Sequence, residues 1–182
     1  MLKGDNLKII EGDSRELSYM LRINAALRSI KMEGIVMKKI RTALMILQSF
    51  VGIGAIAGGL AAIVNPNNPM GITLDTLVNS PFSNFLIPGI ILFAIIGIGS
   101  IASAIALALD FRFQGFVSSV FSWALVIWIV VQCIMLNEII PLHIIFFSIG
   151  LVEAALSAII LFKQRMFPAN FVLSFLEKQQ AQ

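Results

Sequence analysis

Glu153 is the residue of this sequence most able to carry chemistry, because it is an acidic side chain inside a long apolar segment. It lies near the middle of the last of four such segments, in the run Gly150-Leu151-Val152-Glu153-Ala154-Ala155. A charge at the centre of a membrane costs about 2.5 to 3.5 kcal/mol on insertion scales. We therefore expect Glu153 to face the interior of a helix bundle, where a proton or a polar partner reduces that cost.

Several polar side chains are predicted to lie on the cytoplasmic side of Glu153, counting about 1.5 Å of helix rise per residue from the centre of each segment. These candidate partners are Gln48, Ser100, Ser103, Ser122 and Ser157. One hypothesis is a polar cleft that opens inward, with Glu153 at its closed end, and serves a proton, an ion or a lipid headgroup. The alternative is a hydrogen-bonded cluster that holds the helices together, as serine and glutamine often do in membranes.

Other residue types that catalyse reactions or bind metals are scarce. The sequence has one histidine, His143, and one cysteine, Cys133, and neither has a carboxylate pair or a second thiol at metal-ligand spacing. It also has no phosphate-binding loop, dinucleotide-binding glycine pattern, hydrolase elbow or zinc-protease motif. We therefore predict no cofactor, no metal site and a function that is not enzymatic.

Four membrane-spanning helices are the elements that must position these residues. Of the 182 residues, 58% are hydrophobic and 13% are charged, which is far from the balance of a water-soluble domain. No charged side chain occurs between Arg41 and Asp75, or between Asp75 and Asp110, and a span needs about 20 apolar residues. The predicted fold is all-α, an antiparallel bundle of four transmembrane helices. The spans are predicted at about 42–64, 84–109, 116–136 and 142–162.

Basic residues near the span ends predict the orientation of the bundle. One side has Lys38, Lys39, Arg41, Arg112, Lys163 and Arg165. The other side has Asp75, Glu138 and His143, with no lysine or arginine. Because cytoplasmic loops carry the excess of lysine and arginine, we predict a multi-pass protein of the cell membrane with both termini in the cytoplasm. The net charge of +3 is explained by this topology, so we expect no nucleic acid as a partner.

Small residues recur at the spacing that lets transmembrane helices approach closely. Gly54 and Gly58 form a GxxxG pattern in the first span, and Gly99 and Ser103 repeat the spacing in the second. Such pairs favour backbone contact between helices. We expect these residues to pack within the bundle, although a contact between two copies of the chain would use the same pattern.

The two ends of the sequence differ from the helical region, which we place at residues 37–165. Residues 1–36 mix charged and apolar side chains and are predicted to form a cytoplasmic extension. Translation from Met37 is an alternative, because the codons for Met32-Glu33-Gly34 can contain a bacterial ribosome-binding sequence. Another alternative makes the first span a signal peptide, but its apolar stretch exceeds the usual core of about 7 to 15 residues. Residues 166–182 are predicted to form a short amphipathic segment on the membrane surface.

Three short runs carry a resemblance to known proteins: Ser80-Pro81-Phe82, Phe85-Leu86-Ile87-Pro88-Gly89 and Trp128-Ile129-Val130-Val131-Gln132. With these runs, roughly residues 37–162 resemble a family of small four-helix membrane proteins of Gram-positive bacteria that has no established activity. The layout is also similar to that of DoxX-type four-helix proteins, but the redox residue pattern is missing. The resemblance implies the architecture and the membrane location only.

Two classes of function are consistent with the sequence. The first is a non-enzymatic module that binds a membrane lipid, a small apolar molecule or a partner membrane protein, with a homo-oligomer as a further expectation. The second is a small transporter or proton-coupled permease that uses Glu153. Many transporters contain internal repeats, and none is evident in this sequence. We therefore favour the first class.

Overall fold

Four long helices form the protein in a computed structural model that describes residues 3–77 and 80–163, with side chains from residue 20 onward. The helices are α1 (Lys3–Val64), α2 (Leu86–Ala108), α3 (Gln114–Leu136) and α4 (Pro141–Lys163). Each contains a stretch long and apolar enough to cross a membrane, and the described residues contain no strand. The prediction of an all-helical fold with four membrane-length helices is confirmed.

The apolar segments form helices because lipid offers the backbone no hydrogen bonds, so every N–H and C=O group must be paired within the segment. This requirement outweighs the preference of the many isoleucine and valine residues for strands. Only 33% to 39% of the most apolar window of each helix is buried inside the protein. The remaining apolar surface faces outward, which is the arrangement expected of helices that contact lipid.

The chain divides between Lys39 and Ile40 into two compact units. In the first unit, residues 3–39 are helical, and nearly all of the side chains described there are exposed, including the large apolar Leu21 and Leu27. The second unit contains α2, α3, α4 and the remainder of α1. The predicted surface segment at 166–182 and the basic residue Arg165 lie outside the described residues.

Within the second unit, α1 and α2 run antiparallel and touch through glycines. A Cβ added to Gly59 would lie 2.7 Å from the backbone nitrogen of Phe93, and one added to Gly52 would lie 2.8 Å from the Ile101 side chain. Later residues of α1 thus meet earlier residues of α2. Helices α3 and α4 are also antiparallel, because a Cβ on Gly150 would lie 2.9 Å from Val126 while Ser122, one turn before Val126, lies near Glu153.

Helix α2 changes its winding along its length. It is α-helical over Leu86–Ile91, π-helical over Leu92–Ile98 and α-helical again over Gly99–Ala108. Pro88 precedes the π-helical segment but lies in the first turn of α2, where the missing N–H removes no bond of the helix. A wider turn shifts the register of the side chains that follow, and such segments are frequent at functional sites. The sequence patterns did not predict this segment.

An ion pair joins α1 to the link between α2 and α3. The Nη1 atom of Arg41 lies 2.7 Å from Oδ1 of Asp110, and Nη2 donates a hydrogen bond to the Leu107 carbonyl at 2.7 Å. Gln114 Nε2 donates to the same Asp110 oxygen at 2.6 Å. The hydrogen bond from Gln114, followed by that from Arg41, lowers the pKa of Asp110 below its ordinary value. We call this end of the bundle the Arg41 end.

The opposite end, which we call the His143 end, has a tight turn between α3 and α4. Helix α3 ends at Leu136. The next residue, Asn137, has a left-handed backbone with φ of 49° and ψ of 31°, a conformation that asparagine tolerates better than most residues. The longer connection from α1 to α2 contains 3₁₀ turns at Pro69–Gly71 and Leu74–Leu77. Leu77 is buried with Met135 of α3, so this connection covers part of the His143 end.

Candidate functional site

The polar side chains predicted around Glu153 are all buried in the half of the bundle nearer the Arg41 end. Each is at most 1% exposed: Gln48, Ser100, Ser103, Ser122, Glu153 and Ser157. They come from all four helices. We call these residues, together with Ser118, the polar cluster. No side chain of the cluster is accessible to solvent, so the cluster is closed.

Ser118 connects three helices within the polar cluster. Its hydroxyl lies 2.9 Å from that of Ser103 on α2, and its carbonyl accepts a hydrogen bond from Gln48 Nε2 of α1 at 3.2 Å. The Ser122 hydroxyl donates to the same carbonyl at 2.7 Å. Ser157 instead donates to Ala154 of its own helix, at 2.9 Å. Ser118 is thus the centre of the hydrogen bonds that the structure shows here.

Ser118 was not among the candidate residues predicted from the sequence. A signal was present, because Gln114, Ser118 and Ser122 follow one another at intervals of four residues and therefore share one face of a helix. All three are buried, with Gln114 only 3% exposed. This polar stripe on α3 predicts a contact with other polar helix faces.

Glu153 is buried without a hydrogen-bond partner. Its side chain is 1% exposed, and neither carboxyl oxygen has a partner among the described residues. The Ser122 hydroxyl lies near the carboxyl, but its hydrogen bond goes to the Ser118 carbonyl. The Oε1 atom of Gln48 is likewise buried and unpartnered. The polar cluster therefore holds acceptor oxygens whose hydrogen-bonding capacity its own donors leave unused.

A cavity of about 390 Å³ occupies the other half of the bundle, between the polar cluster and the His143 end. Its wall is built mainly from apolar side chains of all four helices, such as Val51, Ile96, Leu125 and Phe146. None of the residues of the polar cluster lines this cavity. The candidate residues chosen from the sequence and the cavity are therefore separate features of the bundle.

Three polar side chains are found in the cavity wall. Trp128, Gln132 and His143 line it, and Trp128 and Gln132 share one face of α3 because they are four residues apart. His143 is 6% exposed. Its Nδ1 atom lies 3.4 Å from the backbone nitrogen of Ile140, which donates to it, and this distance is long for a hydrogen bond. Trp128 is 7% exposed, and its indole Nε1–H has no partner among the described residues.

The cavity opens sideways between α1 and α4, and its lining also includes Met70 and Ile72, which are exposed on the connection from α1 to α2. Gly54 and Ala57 line the cavity and are themselves exposed on the outer surface of the bundle. A Cβ added to Gly54 would lie 3.8 Å from Phe146 of α4, and Phe146 stacks on Phe50 with ring centroids 6.1 Å apart. The opening is therefore bordered by small residues on one helix and an aromatic ring on the other. It faces the surface that the apolar helices present to lipid.

The small residues of the GxxxG patterns occupy different environments. Gly54 and Gly58 line the cavity, and Cβ atoms there would meet their neighbours at ordinary distances of 3.8 and 3.5 Å. Gly99 is buried against the Phe121 ring, which a Cβ would overlap, and Ser103 belongs to the polar cluster. The close backbone contact of α1 with α2 uses Gly59, which lies outside the GxxxG pattern.

The described residues contain no group of three or more His, Cys, Asp or Glu side chains that could hold a metal ion. Comparison with protein-family models, curated proteins and solved structures finds no match to this chain. The resemblance to small four-helix proteins of Gram-positive bacteria accordingly stays a prediction. The cavity and the polar cluster are therefore the features from which a function can be inferred.

Proposed function

We propose that the protein is a non-enzymatic membrane module that binds one small apolar molecule or lipid chain in its cavity. The observation that carries the proposal is the cavity itself, about 390 Å³ in volume and lined almost entirely by apolar side chains. Ligand pockets are typically about 300 to 1,000 Å³ and mostly apolar, with a few polar groups that orient the ligand. Gln132 and His143 supply such polar side chains here.

The side opening supports uptake of the molecule from the membrane. Gly54 and Ala57 at the opening have small side chains and are exposed, so an apolar molecule can enter without crossing water. We further propose that the Arg41 end faces the cytoplasm of a cell membrane, because Arg41, Arg112 and Lys163 lie near the corresponding helix ends. The cavity would then lie in the outer half of the bilayer.

Fluorescence quenching by a brominated alkane tests the proposal. The Trp123→Phe variant keeps Trp128 as its single tryptophan, because the chain has only these two. In lipid nanodiscs, 1-bromododecane should quench Trp128 with a saturable dependence on concentration, because the buried indole is reached through the cavity. In the Trp128→Phe variant, Trp123 is 52% exposed, so its quenching should follow the bromoalkane concentration in the lipid without saturating.

Variants at the cavity wall complete the test. Gly54→Leu and Gly58→Leu, each in the single-Trp128 background, put extra side-chain volume at the opening and in the wall, and should weaken quenching of Trp128 severalfold. Gly34→Leu adds the same side chain where no atom lies within 4 Å and should have no effect. Non-saturable quenching of Trp128, or equal quenching in the folded wall variants and the control, would contradict the proposal.

A second candidate function, a small transporter or proton-coupled permease, is favoured by the unpartnered oxygens of Glu153. A buried carboxylate without a donor or a cation is strongly unfavourable, so this group needs a bound proton or a bound cation. Glu153→Gln keeps the shape and the hydrogen-bonding atoms but cannot bind a proton reversibly. In proteoliposomes, protein-dependent proton flux that Glu153→Gln abolishes would favour transport. No flux above that of empty vesicles, from wild-type protein shown to be folded, would reject it.

A further inference from the structure

Gln132 is the side chain of the cavity wall whose hydrogen-bonding atoms a ligand can reach. It lines the cavity and is half-buried, and its amide makes no hydrogen bond with another described residue. Five polar side-chain atoms of the described residues are both fully enclosed and unpartnered, among them Trp128 Nε1, and neither amide atom of Gln132 is one of them. Because the amide is unpartnered but not enclosed, its carbonyl oxygen and its two N–H donors stay accessible.

His143 adds a hydrogen-bond donor to the wall of the same cavity. Its Nδ1 atom accepts the long hydrogen bond from the backbone N–H of Ile140. An imidazole nitrogen that accepts a hydrogen bond carries no proton, so we assign the ring proton to Nε2. The Nε2 atom makes no hydrogen bond with another described residue and is not one of the enclosed atoms. The wall thus presents an acceptor and donors from Gln132 and a donor from His143.

Gln132 and His143 lie near the edge of the hydrocarbon, whereas the apolar wall of the cavity reaches its centre. Gln132 is seven residues from Leu125, the midpoint of α3, and His143 is nine residues from Val152, the midpoint of α4. These separations correspond to about 10 Å and about 14 Å along the helices, in a hydrocarbon core that extends about 15 Å from its midplane. Leu125 itself lines the cavity. A molecule in the cavity therefore meets polar atoms near the membrane surface and apolar atoms near the midplane.

The cavity wall also restricts the charge and the size of the molecule. No lysine, arginine, aspartate or glutamate lines the cavity, so a charged group would be buried without a counter-ion, which is strongly unfavourable. At about 30 Å³ per non-hydrogen atom, the share of one water molecule in the liquid, the volume of about 390 Å³ holds about a dozen such atoms. A single neutral chain of that length fits, and a lipid with two long chains does not.

The polar end of the molecule must match both kinds of atom in the wall. The Gln132 carbonyl oxygen needs a donor, and the N–H groups of Gln132 and His143 need an acceptor. A hydroxyl group supplies one donor and two acceptor lone pairs. An ester, a ketone or an ether only accepts, and would leave the Gln132 oxygen without a partner.

We propose, on the basis of the function proposed above, that the bound molecule is a neutral single-chain lipid with a terminal hydroxyl group. The hydroxyl donates a hydrogen bond to Gln132 Oε1 and accepts one from His143 Nε2–H, and the chain extends along the apolar wall towards Leu125. The depths of Gln132 and His143 in the membrane differ by about 3 Å, so one hydroxyl group can lie between them.

Competition between matched compounds tests this proposal. The compounds are 1-dodecanol, undecyl methyl ether, undecanoate and tridecane, which have the same number of non-hydrogen atoms. Each is added at a known mole fraction of the nanodisc lipid to displace 1-bromododecane, and recovery of Trp128 fluorescence in the Trp123→Phe protein is the readout. We expect 1-dodecanol to act at a mole fraction roughly two- to tenfold below that of the ether, the range expected for one hydrogen bond. Undecanoate should act no better than tridecane.

Variants at the polar end separate the two hydrogen bonds. Gln132→Leu removes the acceptor, so it should abolish the advantage of 1-dodecanol over the ether, and Gln132→Met is a second substitution with the same expectation. His143→Phe removes a donor that both oxygen compounds use, so it should weaken both roughly two- to tenfold relative to tridecane and keep the gap between them. Val131→Leu is the matched control, because Val131 is 39% exposed and outside the cavity lining. It should keep the wild-type order of the compounds.

The outcomes distinguish failure of this proposal from failure of the proposed function. If no compound displaces 1-bromododecane from the folded protein, or if its quenching does not saturate, the proposed function itself fails. If 1-dodecanol, the ether and tridecane compete equally, the cavity binds apolar molecules but the hydroxyl proposal is wrong. If undecanoate competes best, the polar end is anionic and the charge argument is wrong. An advantage of 1-dodecanol that survives in folded Gln132→Leu or Gln132→Met would also overturn the proposal, because the hydroxyl would then have another acceptor.

Discussion

Substitution of Gly59 by alanine tests how the helices of the bundle pack. A Cβ at this position would lie 2.7 Å from the backbone nitrogen of Phe93 and 2.8 Å from its Cα atom. Because those are main-chain atoms, α1 and α2 would have to separate rather than rotate a side chain away. Overpacking of this kind costs about 1 to 3 kcal/mol, while alanine regains about 0.5 to 1 kcal/mol of helix propensity. We therefore expect a net loss of about 1 kcal/mol.

Gly54→Ala is the matched control on the same helix. Its Cβ would lie 3.8 Å from Phe146, an ordinary van der Waals distance, so the gain in helix propensity of about 0.5 to 1 kcal/mol is not offset by a clash. The free energy of unfolding, measured by steric trapping in bicelles, should fall for Gly59→Ala and hold or rise for Gly54→Ala. Equal effects of the two substitutions would refute the packing of α1 on α2 described here.

Three further predictions concern the ends of the bundle and the polar cluster. The pKa of Asp110 is lowered in the folded protein, so its contribution to stability is complete above the ordinary value of 3.8 and disappears as the pH falls through the lower folded value. Asp110→Asn should remove this acid sensitivity in pH-dependent melts. The substitution should cost at most about 1 kcal/mol of stability at neutral pH, because the carboxylate is 67% exposed. Ser118→Ala should cost about 0.6 kcal/mol in steric trapping, whereas the exposed Ser148, changed to alanine, should cost little. Asn137→Ala should lower the melting temperature, because the left-handed conformation costs an ordinary residue about 1 to 2 kcal/mol whereas asparagine tolerates it, and Asn137→Gly should not.

The number and type of the helices could be predicted from the sequence because one physical requirement dominates. Long segments without charge must pair their backbone groups internally in lipid, and the segments between Arg41 and Lys163 leave little choice of ends. The burial of Glu153 was predictable for the same reason, since a carboxyl in such a segment must avoid lipid. Its side chain is 1% exposed.

The contacts between helices were harder to predict because they depend on rotation and register. The GxxxG spacing drew attention to Gly54 and Gly58, whereas the glycine of α1 whose added Cβ would come closest to the main chain of α2 is Gly59. Which glycines meet depends on how α2 is wound. The π-helical segment Leu92–Ile98 sets that winding and places Leu92 and Ile96 in the cavity wall. No local pattern in the sequence signals it.

The cavity itself had no counterpart in the sequence analysis. A cavity is a shortfall of side-chain volume where several helices meet, so it depends on many apolar residues that are individually unremarkable. The spacing of Trp128 and Gln132 places them on one helix face, but their role in a cavity wall required the positions of α1, α2 and α4. Glu153 drew attention as the single acidic residue of the spans, yet it lies outside the lining of that cavity.

Native mass spectrometry most directly tests the central claim, that this bundle binds an apolar molecule taken from the membrane. The protein would be extracted from its own host membrane in polymer-bounded discs and released into the gas phase with mild activation. We predict one neutral apolar molecule retained per chain by the wild-type protein and by Gly34→Leu, and its loss from Gly58→Leu. A wild-type chain that carries no such molecule, or the same molecule retained equally by folded Gly58→Leu, would contradict the account.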